Sequence, residues 1–222
     1  MNLLEILKLW DTNLFLFING AHASFFDSFM FLVSNKLVWI PLYASVLYVL
    51  IRHWKKEAIW LVLALILCIV ISDQISSGIL KDLVKRLRPS HAEDLKGLVH
   101  LVKGYAGGKY GFASSHASNA AGFALLSALL LKRRIYTYSI VAWAVITGYS
   151  RIYLGVHYPL DVLGGFMIGA LAALGCYWLI CRYRPSLVQY EVHGTIEDST
   201  ISVSVVILSL SFLVLIFYSL FQ

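Results

Sequence analysis

Three polar stretches of this sequence contain residues that could bind an anion and react with it. Each stretch abuts a strongly apolar run, and the three read KDLVKRLRP (81–89), GFASSHASN (111–119) and SRIYLGVHYPLD (150–161). Lys81, Arg88 and Arg151 supply the fixed positive charge that a phosphate monoester or diphosphate needs around its non-bridging oxygens. Arginine suits this task because its planar guanidinium can donate to two phosphate oxygens at once, whereas lysine acts as a point charge. The pattern favours a phosphate-binding pocket.

The second and third stretches add hydroxyl, imidazole and carboxyl groups. Ser114 and Ser115 begin a predicted helix, where free backbone N–H groups and the positive end of the helix dipole face an anion. Serine is also a favoured helix N-cap, and capping alone would explain both residues. His116, His157 and Asp161 are of the types that phosphoryl transfer uses as nucleophile, proton donor and orienting group.

Membrane helices must position these residues. The chain has 222 residues, of which 59% are hydrophobic and only 14% charged, and its mean hydropathy is +0.77. This composition excludes an ordinary soluble domain. At about 20 apolar residues per span, the chain has room for roughly five or six helices with short connections. The predicted fold is one all-α domain over residues 1–222, a polytopic membrane helix bundle of about six spans with an interfacial helix before them.

The predicted spans are the apolar runs bounded by charged or turn residues. In chain order they lie within Phe25–Ile51 and over Ala58–Leu80, Ser114–Leu131, Ile135–Tyr149, Val162–Ile180 and Ile201–Phe221. The stretch before them, LLEILKLWDTNLFLFING, carries acids and one lysine, so it lacks the basic region of a signal peptide. It is predicted to form an amphipathic helix at the membrane interface.

Alternate connections of a helix bundle lie on opposite sides of the membrane, and this parity places all three polar stretches on one side. The N-terminal region, 81–113 and 151–160 share that side, whereas 52–57, 132–134 and 182–200 lie on the other. The site side has ten lysines and arginines against eight, or seven once the three site cations are removed. Charge density in short loops then places the KRR turn at 132–134 in the cytoplasm.

Together the three stretches resemble the signature motifs of the type 2 phosphatidic acid phosphatase (PAP2) family. The first motif is matched by Lys81, six residues, Arg88 and Pro89. The third is matched by Ser150, Arg151, five residues, His157, three residues and Asp161. The second normally reads Pro-Ser-Gly-His, and residues 113–116 read Ala-Ser-Ser-His, which keeps the serine and the histidine but loses two backbone restraints. The resemblance covers roughly residues 57–182.

The resemblance implies a role for each motif residue. His157 would attack phosphorus to form a phosphohistidine, and Asp161 would hold the other ring nitrogen and stabilise the positive imidazole. His116 would protonate the leaving oxygen and then help to activate water. The phosphate would be bound by Lys81, Arg88, Ser114, Ser115 and Arg151.

Pro159 fits the first position of a helix, which would place Asp161 in the first turn, where a carboxylate is electrostatically favoured. No residues have convincing metal-ligand spacing, since His53 and His193 fall on the other side of the membrane. We therefore expect no metal and no other cofactor. The histidines interpreted as partly solvated polar residues are His22, His53, His91, His100 and His193.

Other residues have a structural interpretation. Asp73 is expected to face the bundle interior beside a structural partner. Gly165 and Gly169 form a small-residue pair suited to close helix packing. The segment GYAGGKYG (104–111) lacks the spacing of a nucleotide-binding loop and is interpreted as a flexible lid over the pocket. The basic residues expected to reach toward headgroups or to attract anionic substrate are Lys85, Arg86, Lys96, Lys103 and Lys109.

The leading hypothesis for function is an integral membrane phosphatase acting on a lipid phosphate or diphosphate. A vanadate-dependent haloperoxidase would use a related constellation, but the family members known for that activity are soluble. A transporter would have polar residues deep inside several helices, whereas here they gather at one face. A lipid-to-lipid phosphotransferase would use the same site, and the sequence does not distinguish the acceptor.

The substrate classes follow from the resemblance. Similar bacterial family members act on undecaprenyl diphosphate, lipid A phosphates or phosphatidylglycerol phosphate, and undecaprenyl diphosphate ranks first, narrowly ahead of lipid A. The expected location is the bacterial inner membrane, with the site on the periplasmic or outer face. The expected partners are the lipid substrate and the bilayer, with no nucleic acid, and the oligomeric state is left open.

Overall fold

Apolar side chains on every face mark the helices of this chain as membrane helices. The computed structural model describes residues 2–189 and 196–222, so the prediction for His193 lies outside the described residues. On the helix Ala58–Asp73, Leu61 and Leu65 are buried, while Ile59 and Ile66 are each 53% exposed. A helix that is apolar all round has its outer face in contact with lipid.

The described helices begin and end near the predicted limits of the apolar runs. They are α1 Leu3–Gly20, α2 Ser24–Ser34, α3 Ile40–Trp54, α4 Ala58–Asp73, α5 Leu80–Val84, α6 Ser115–Leu131, α7 Arg134–Tyr153, α8 Pro159–Tyr183 and α9 Asp198–Leu220. Short 3₁₀ turns at Lys36–Trp39, Pro89–His91, Glu93–Leu95 and Val102–Gly104 lie among the connections.

Three stretches among the described residues are long and apolar enough to cross a membrane: Lys36–Val84, Pro159–Tyr183 and Asp198–Leu220. The first contains both α3 and α4. The pair α1 and α2, bent by 116°, makes a fourth if it is counted as one span, and α6 is apolar but shorter. The predicted all-α membrane bundle is confirmed. The figure of six spans stays a prediction.

Two of the predicted spans differ from the observed helices. The range Phe25–Ile51 is divided, because Asn35 has an extended backbone and its side chain accepts the Leu37 N–H, which ends α2 and starts a 3₁₀ turn. The range Ala58–Leu80 is α-helical only as far as Asp73. It continues as a π-helical turn over Gln74–Ile79, a wide turn that changes the direction in which later side chains point and is frequent at functional sites.

The helices α6 and α8 pack most closely at the two glycines that the sequence singled out. A Cβ atom on Gly165 would lie 2.4 Å from the Ser114 carbonyl oxygen, and one on Gly169 would lie 2.1 Å from that of Ser118. No side chain fits at either position, so the backbones touch directly. The packing prediction for these glycines is confirmed. Helices α4 and α7 also pack against α6, which places α6 at the centre of the bundle.

Connections meet at the two ends of the bundle as parity predicted. At one end the side-chain amide of Asn19 donates to the carbonyls of His100 and Tyr153, so α1, the 85–114 segment and the end of α7 are joined. At the other end the Trp54 indole donates to the carbonyl of Leu187, and Lys132 donates to that of Val188. The three motif stretches therefore share one end.

Helix α1 packs a stripe of polar and apolar residues against the rest of the protein and exposes apolar side chains on its outer face. Asp11, Phe15 and Asn19, spaced four residues apart, are buried, while Trp10 and Phe17 are 73% and 78% exposed. The buried polar residues Asp11 and Asn19 therefore serve contacts with the rest of the chain. Its position at the membrane interface stays a prediction.

Candidate active site

Arg151 is the most deeply buried of the three predicted phosphate-binding cations. It lies in the last turn of α7 and is 2% exposed. Its Nη1 donates to the Ser34 hydroxyl and its Nη2 to the Tyr105 hydroxyl, the latter at 3.3 Å. Its Nε has no hydrogen-bond partner among the described residues. Neutral oxygens thus hold the guanidinium, and its charge is left for an anion.

Arg88 lies between α5 and α6 and is 7% exposed. Its Nε donates to the Tyr110 carbonyl at 3.1 Å and its Nη1 to the Val156 carbonyl at 3.3 Å. A Cβ atom on Gly107 would lie 2.7 Å from Nη1, so the glycine-rich segment approaches the guanidinium as only glycine allows. The segment predicted to be a lid therefore lies against the site. Its flexibility stays a prediction.

Lys81 follows the π-helical turn by two residues, and its Nζ donates to the Ser77 hydroxyl at 3.1 Å. It lies within electrostatic range of both Arg88 and Arg151. Three cations so close repel one another, and a bound phosphate would relieve that repulsion. Residues from two separate motifs, the first and the third, therefore form one cationic pocket.

His157 lies in the connection between α7 and α8 and is 1% exposed. Burial comes first among the causes that hold the pKa of its imidazole well below 6.5, followed by the charges of Arg88, Arg151 and Lys81. The ring is therefore neutral at neutral pH, which is the form in which a ring nitrogen can act as a nucleophile.

Asp161 lies in the first turn of α8, which begins at Pro159 as predicted. Its Oδ2 accepts the Tyr158 N–H at 3.0 Å and lies 3.5 Å from Nδ1 of His157. That separation brings the carboxylate beside the ring but is too long for a good hydrogen bond, and Nδ1 has no partner among the described residues. The expected contact is thus nearly formed, and the role of Asp161 stays a prediction.

The start of α6 brings the second motif to the same end. Ser114 is fully buried and is the N-cap, its hydroxyl accepting the Ala117 N–H at 3.5 Å, so the capping interpretation is confirmed for Ser114, whereas Ser115 is the first residue of the helix. Ser115 and His116 line a cavity of about 230 Å³. His116 lies within electrostatic range of His157 and Arg151. All eight predicted site residues therefore lie in or beside one pocket region, although phosphate binding by the serines stays a prediction.

The family model of the PAP2 superfamily matches residues 57–185, which run from the start of α4 past the end of α8. The chain belongs to the PAP2 superfamily. As a PAP2 phosphatase it is a phosphoric ester hydrolase, and it is a multi-pass membrane protein.

Relatives of this PAP2 enzyme are named for lipid phosphates. Proteins named lipid A 4'-phosphatase from Bacteroides thetaiotaomicron and Porphyromonas gingivalis are 42% and 38% identical to it over 80% and 78% of this chain and 80% and 75% of their own lengths. An undecaprenyl-diphosphatase from Sulfolobus acidocaldarius is 28% identical over 75% of this chain and 72% of its own. These names agree in one activity class, the hydrolysis of lipid phosphates.

The crystal structure of Aquifex aeolicus LpxE has the same fold. It superposes with a TM-score of 0.61 at 26% identity, covering 75% of this chain and 94% of that one. The predicted membership of the PAP2 family and the membrane helix bundle are both confirmed by these comparisons.

Arg86 is a residue of the PAP2 site that the sequence interpretation missed. It was expected to reach toward headgroups or to attract anionic substrate, but its Nη1 donates to Asp161 Oδ1 at 3.0 Å and its Nη2 to Asp11 Oδ2 at 2.6 Å. Its guanidinium also stacks 3.9 Å from the ring centre of Tyr158. The Leu160 N–H donates to the second oxygen of Asp11 at 2.9 Å. The snorkelling interpretation is therefore wrong for Arg86, because two buried carboxylates bind it inside the protein.

Tyr105 and Ser34 were also missed, because both come from segments outside the motifs. Burial alone would raise the pKa of the Tyr105 phenol, but the hydrogen bond and charge of Arg151, with the charge of Arg88, lower it. The phenol therefore interacts with two of the cations that form the cationic pocket. An aromatic ring in a glycine-rich segment was the available signal for Tyr105, and nothing local marked Ser34.

The PAP2 site was predicted to contain no metal. Among residues 2–189 and 196–222, no three histidine, cysteine, aspartate or glutamate side chains lie close enough together to hold an ion. Asp73, expected to have a structural partner, accepts a hydrogen bond from the Asn119 amide at 3.2 Å.

Proposed function

We propose that this enzyme removes the 4'-phosphate of lipid A by way of a phosphohistidine intermediate. The observation that carries the substrate assignment is the 42% identity to the Bacteroides thetaiotaomicron lipid A 4'-phosphatase over 80% of both chains. It reverses the order of preference that the sequence alone favoured, in which undecaprenyl diphosphate came before lipid A.

In the first step the phosphate would bind between Lys81, Arg88 and Arg151. These three side chains are held in place by neutral hydroxyl and carbonyl oxygens, so their charge is free to stabilise the extra negative charge of the transition state. Preorganised donors of this kind need no rearrangement as the reaction proceeds, which is why they accelerate it.

The ring nitrogen Nε2 of His157 would attack phosphorus, because Nδ1 faces Asp161. As the N–P bond forms, the ring becomes positive, and the nearby carboxylate stabilises that charge. The bond from phosphorus to the sugar oxygen would break, and His116, which would take up a proton as the phosphate dianion binds beside it, would give that proton to the sugar oxygen. In the second step a water molecule loses a proton to His116 and attacks phosphorus, which releases inorganic phosphate and the neutral His157.

The location proposed is the bacterial inner membrane with the site on the periplasmic face. Charge density in the short loops supports this orientation. A cysteine at Lys103, an exposed residue at the site end, should react with a membrane-impermeant maleimide in intact spheroplasts of a variant without native cysteines. A cysteine at Lys56 should react only after lysis, and the reverse pattern would place the site in the cytoplasm.

The activity is tested with purified protein and lipid A, undecaprenyl diphosphate and phosphatidylglycerol phosphate side by side. We expect the fastest phosphate release from lipid A, in the presence of a chelator, and loss of about three orders of magnitude or more in His157→Ala because the nucleophile is gone. Acid-labile, base-stable phosphate should be trapped on the wild type but not on this variant. Faster release from another lipid would refute the lipid A assignment, and activity retained by His157→Ala would refute the nucleophile.

A further inference from the structure

We propose that the cavity beside His116 is a subsite for a neutral sugar carrying hydroxyl and amide groups, which departs in the reaction. We call it the side cavity, and its volume is about 230 Å³. The inference rests on the proposed function, because it takes His116 as the acid that protonates the leaving oxygen.

The position of the side cavity identifies it as the place of the leaving group. His116 and Ser115 lie in its wall, as does Ser34, whose hydroxyl accepts a hydrogen bond from Arg151. The cavity therefore adjoins both the proton donor and one of the phosphate-binding cations. A general acid must lie within hydrogen-bond reach of the oxygen it protonates, so the group attached to that oxygen extends into this space.

Three residues that line the side cavity each have a buried polar atom without a hydrogen-bond partner among the described residues. The atoms are Oδ1 of Asn119, Nε1 of Trp143 and Oγ1 of Thr147. Trp143 is 1% exposed and Thr147 is 6% exposed. Buried polar groups are almost always paired, so an unpaired acceptor, donor and hydroxyl on residues that line one cavity indicate a polar ligand there. A sugar with hydroxyl and amide groups offers partners for all three.

The charge of the wall distinguishes a sugar from a phosphate. The carboxylate of Asp73 lines the side cavity and lies next to the Asn119 amide. Cleavage of undecaprenyl diphosphate would leave an anionic lipid phosphate facing this carboxylate, and like charges repel. A sugar hydroxyl is neutral and can donate to a carboxylate. Lys36, which also lines the cavity, is exposed rather than buried.

A second, larger space gives the lipid part of such a ligand a place to lie. A groove of about 550 Å³ shares Lys36, Asp73 and Asn119 with the side cavity and has Ile40 and Val70 in its wall. Ile40 and Val70 are 56% and 49% exposed on the outer surface of membrane helices, so the groove opens toward the bilayer. An acylated sugar would occupy both spaces at once.

The experiment compares two substrates that differ in the sugar. For each variant we measure the ratio of kcat/KM for lipid A to kcat/KM for phosphatidic acid of matched acyl length. Thr147→Val is nearly isosteric and removes a hydroxyl that has no hydrogen-bond partner among residues 2–189 and 196–222, so the melting temperature in detergent should not fall. We expect the ratio to fall roughly fivefold or more, the effect of one lost hydrogen bond to the substrate. Trp143→Phe removes the indole donor and should lower the ratio as well.

The matched control is Ser204→Ala, which removes another buried hydroxyl without a described partner, on α9 and away from the side cavity. Its ratio should equal that of the wild type. An unchanged ratio in both Thr147→Val and Trp143→Phe would overturn the subsite while leaving lipid A as the substrate. If the wild type does not hydrolyse lipid A but hydrolyses another lipid phosphate through His157, both the substrate and the subsite are overturned.

Discussion

Replacing Arg86 by glutamine tests whether α1 takes part in catalysis through the carboxylate of Asp161. Arg86 joins Asp161 at 3.0 Å to Asp11 at 2.6 Å, and the side chains of both acids are almost fully buried. Without the guanidinium, two carboxylates in a poorly solvated region would lose the cation that bridges them. Asp161 would then shift or take up a proton, and the positive ring formed when His157 attacks would lose its support.

The size of the effect follows from the hydrogen bonds that are lost. A hydrogen bond to a charged group contributes about 1.5–3 kcal/mol. If the bond from Arg86 to Asp161 stabilises the transition state, in which the His157 ring is positive, but not the ground state, its loss raises the barrier by that full amount. The value of kcat should then fall roughly 10- to 150-fold, since about 1.4 kcal/mol corresponds to tenfold in rate. KM should change little, because Arg86 does not contact the phosphate in this arrangement.

The assay is steady-state phosphate release in detergent micelles, with the melting temperature measured on the same preparation. Lys85→Gln is the matched control, since it removes the same charge from the adjacent, exposed residue. Arg86→Lys should recover part of kcat, because a lysine keeps the charge but cannot bridge both carboxylates. A rise in KM at constant kcat, equal in the Arg86 and Lys85 variants, would show that Arg86 only attracts anionic substrate and would refute the reasoning.

Three further predictions follow from the packing and the charges. Gly169→Ala should lower the free energy of unfolding by about 1–3 kcal/mol, because the new Cβ meets the Ser118 carbonyl, and the melting temperature should fall accordingly. The control is Gly175→Ala on the same helix, whose Cβ would meet nothing within 4 Å and should not destabilise the protein. The protonation of the His157 imidazole can be followed by ¹⁵N NMR. The ring should stay neutral as pH falls through 6.5 and gain its proton only well below that value, because burial lowers its pKa. A titration midpoint at 6.5 or above would contradict the burial argument. Tyr105→Phe should raise KM several-fold because Arg151 loses its hydrogen bond to the Tyr105 hydroxyl, and kcat should change less. The control is Tyr110→Phe, which should match the wild type because Arg88 donates to the backbone carbonyl of Tyr110, and the substitution keeps that carbonyl.

Local sequence predicted the parts of the site that depend on local rules. Helix-start chemistry identified Ser114 and Pro159 at the beginnings of α6 and α8, and both are confirmed. Apolar runs located most helix ends to within a few residues. The positions of the three motif stretches between apolar runs predicted that the cations and histidines lie at one end of the bundle, because alternate connections must lie on opposite sides of the membrane.

Two of the missed features depend on contacts between residues far apart in sequence. Arg86 resembles any basic residue beside a membrane until Asp11, 75 positions earlier, is placed next to it. Ser34 and Arg151 are 117 positions apart, and no periodicity relates them. The division of the first predicted span at Asn35 was missed because the apolar run continues through it, and one polar residue is a weak signal for a helix end.

The contact between Asp11 and the start of α8 has a consequence for how the enzyme is made. Asp11 is synthesised long before Leu160, whose N–H it binds across 149 positions of sequence. During insertion into the membrane, nearly three quarters of the chain must be synthesised before Asp11 of α1 can accept the hydrogen bond from Leu160. A nascent polypeptide that ends before Leu160 therefore lacks this contact beside the reaction centre, which can be completed only after the start of α8 has been synthesised.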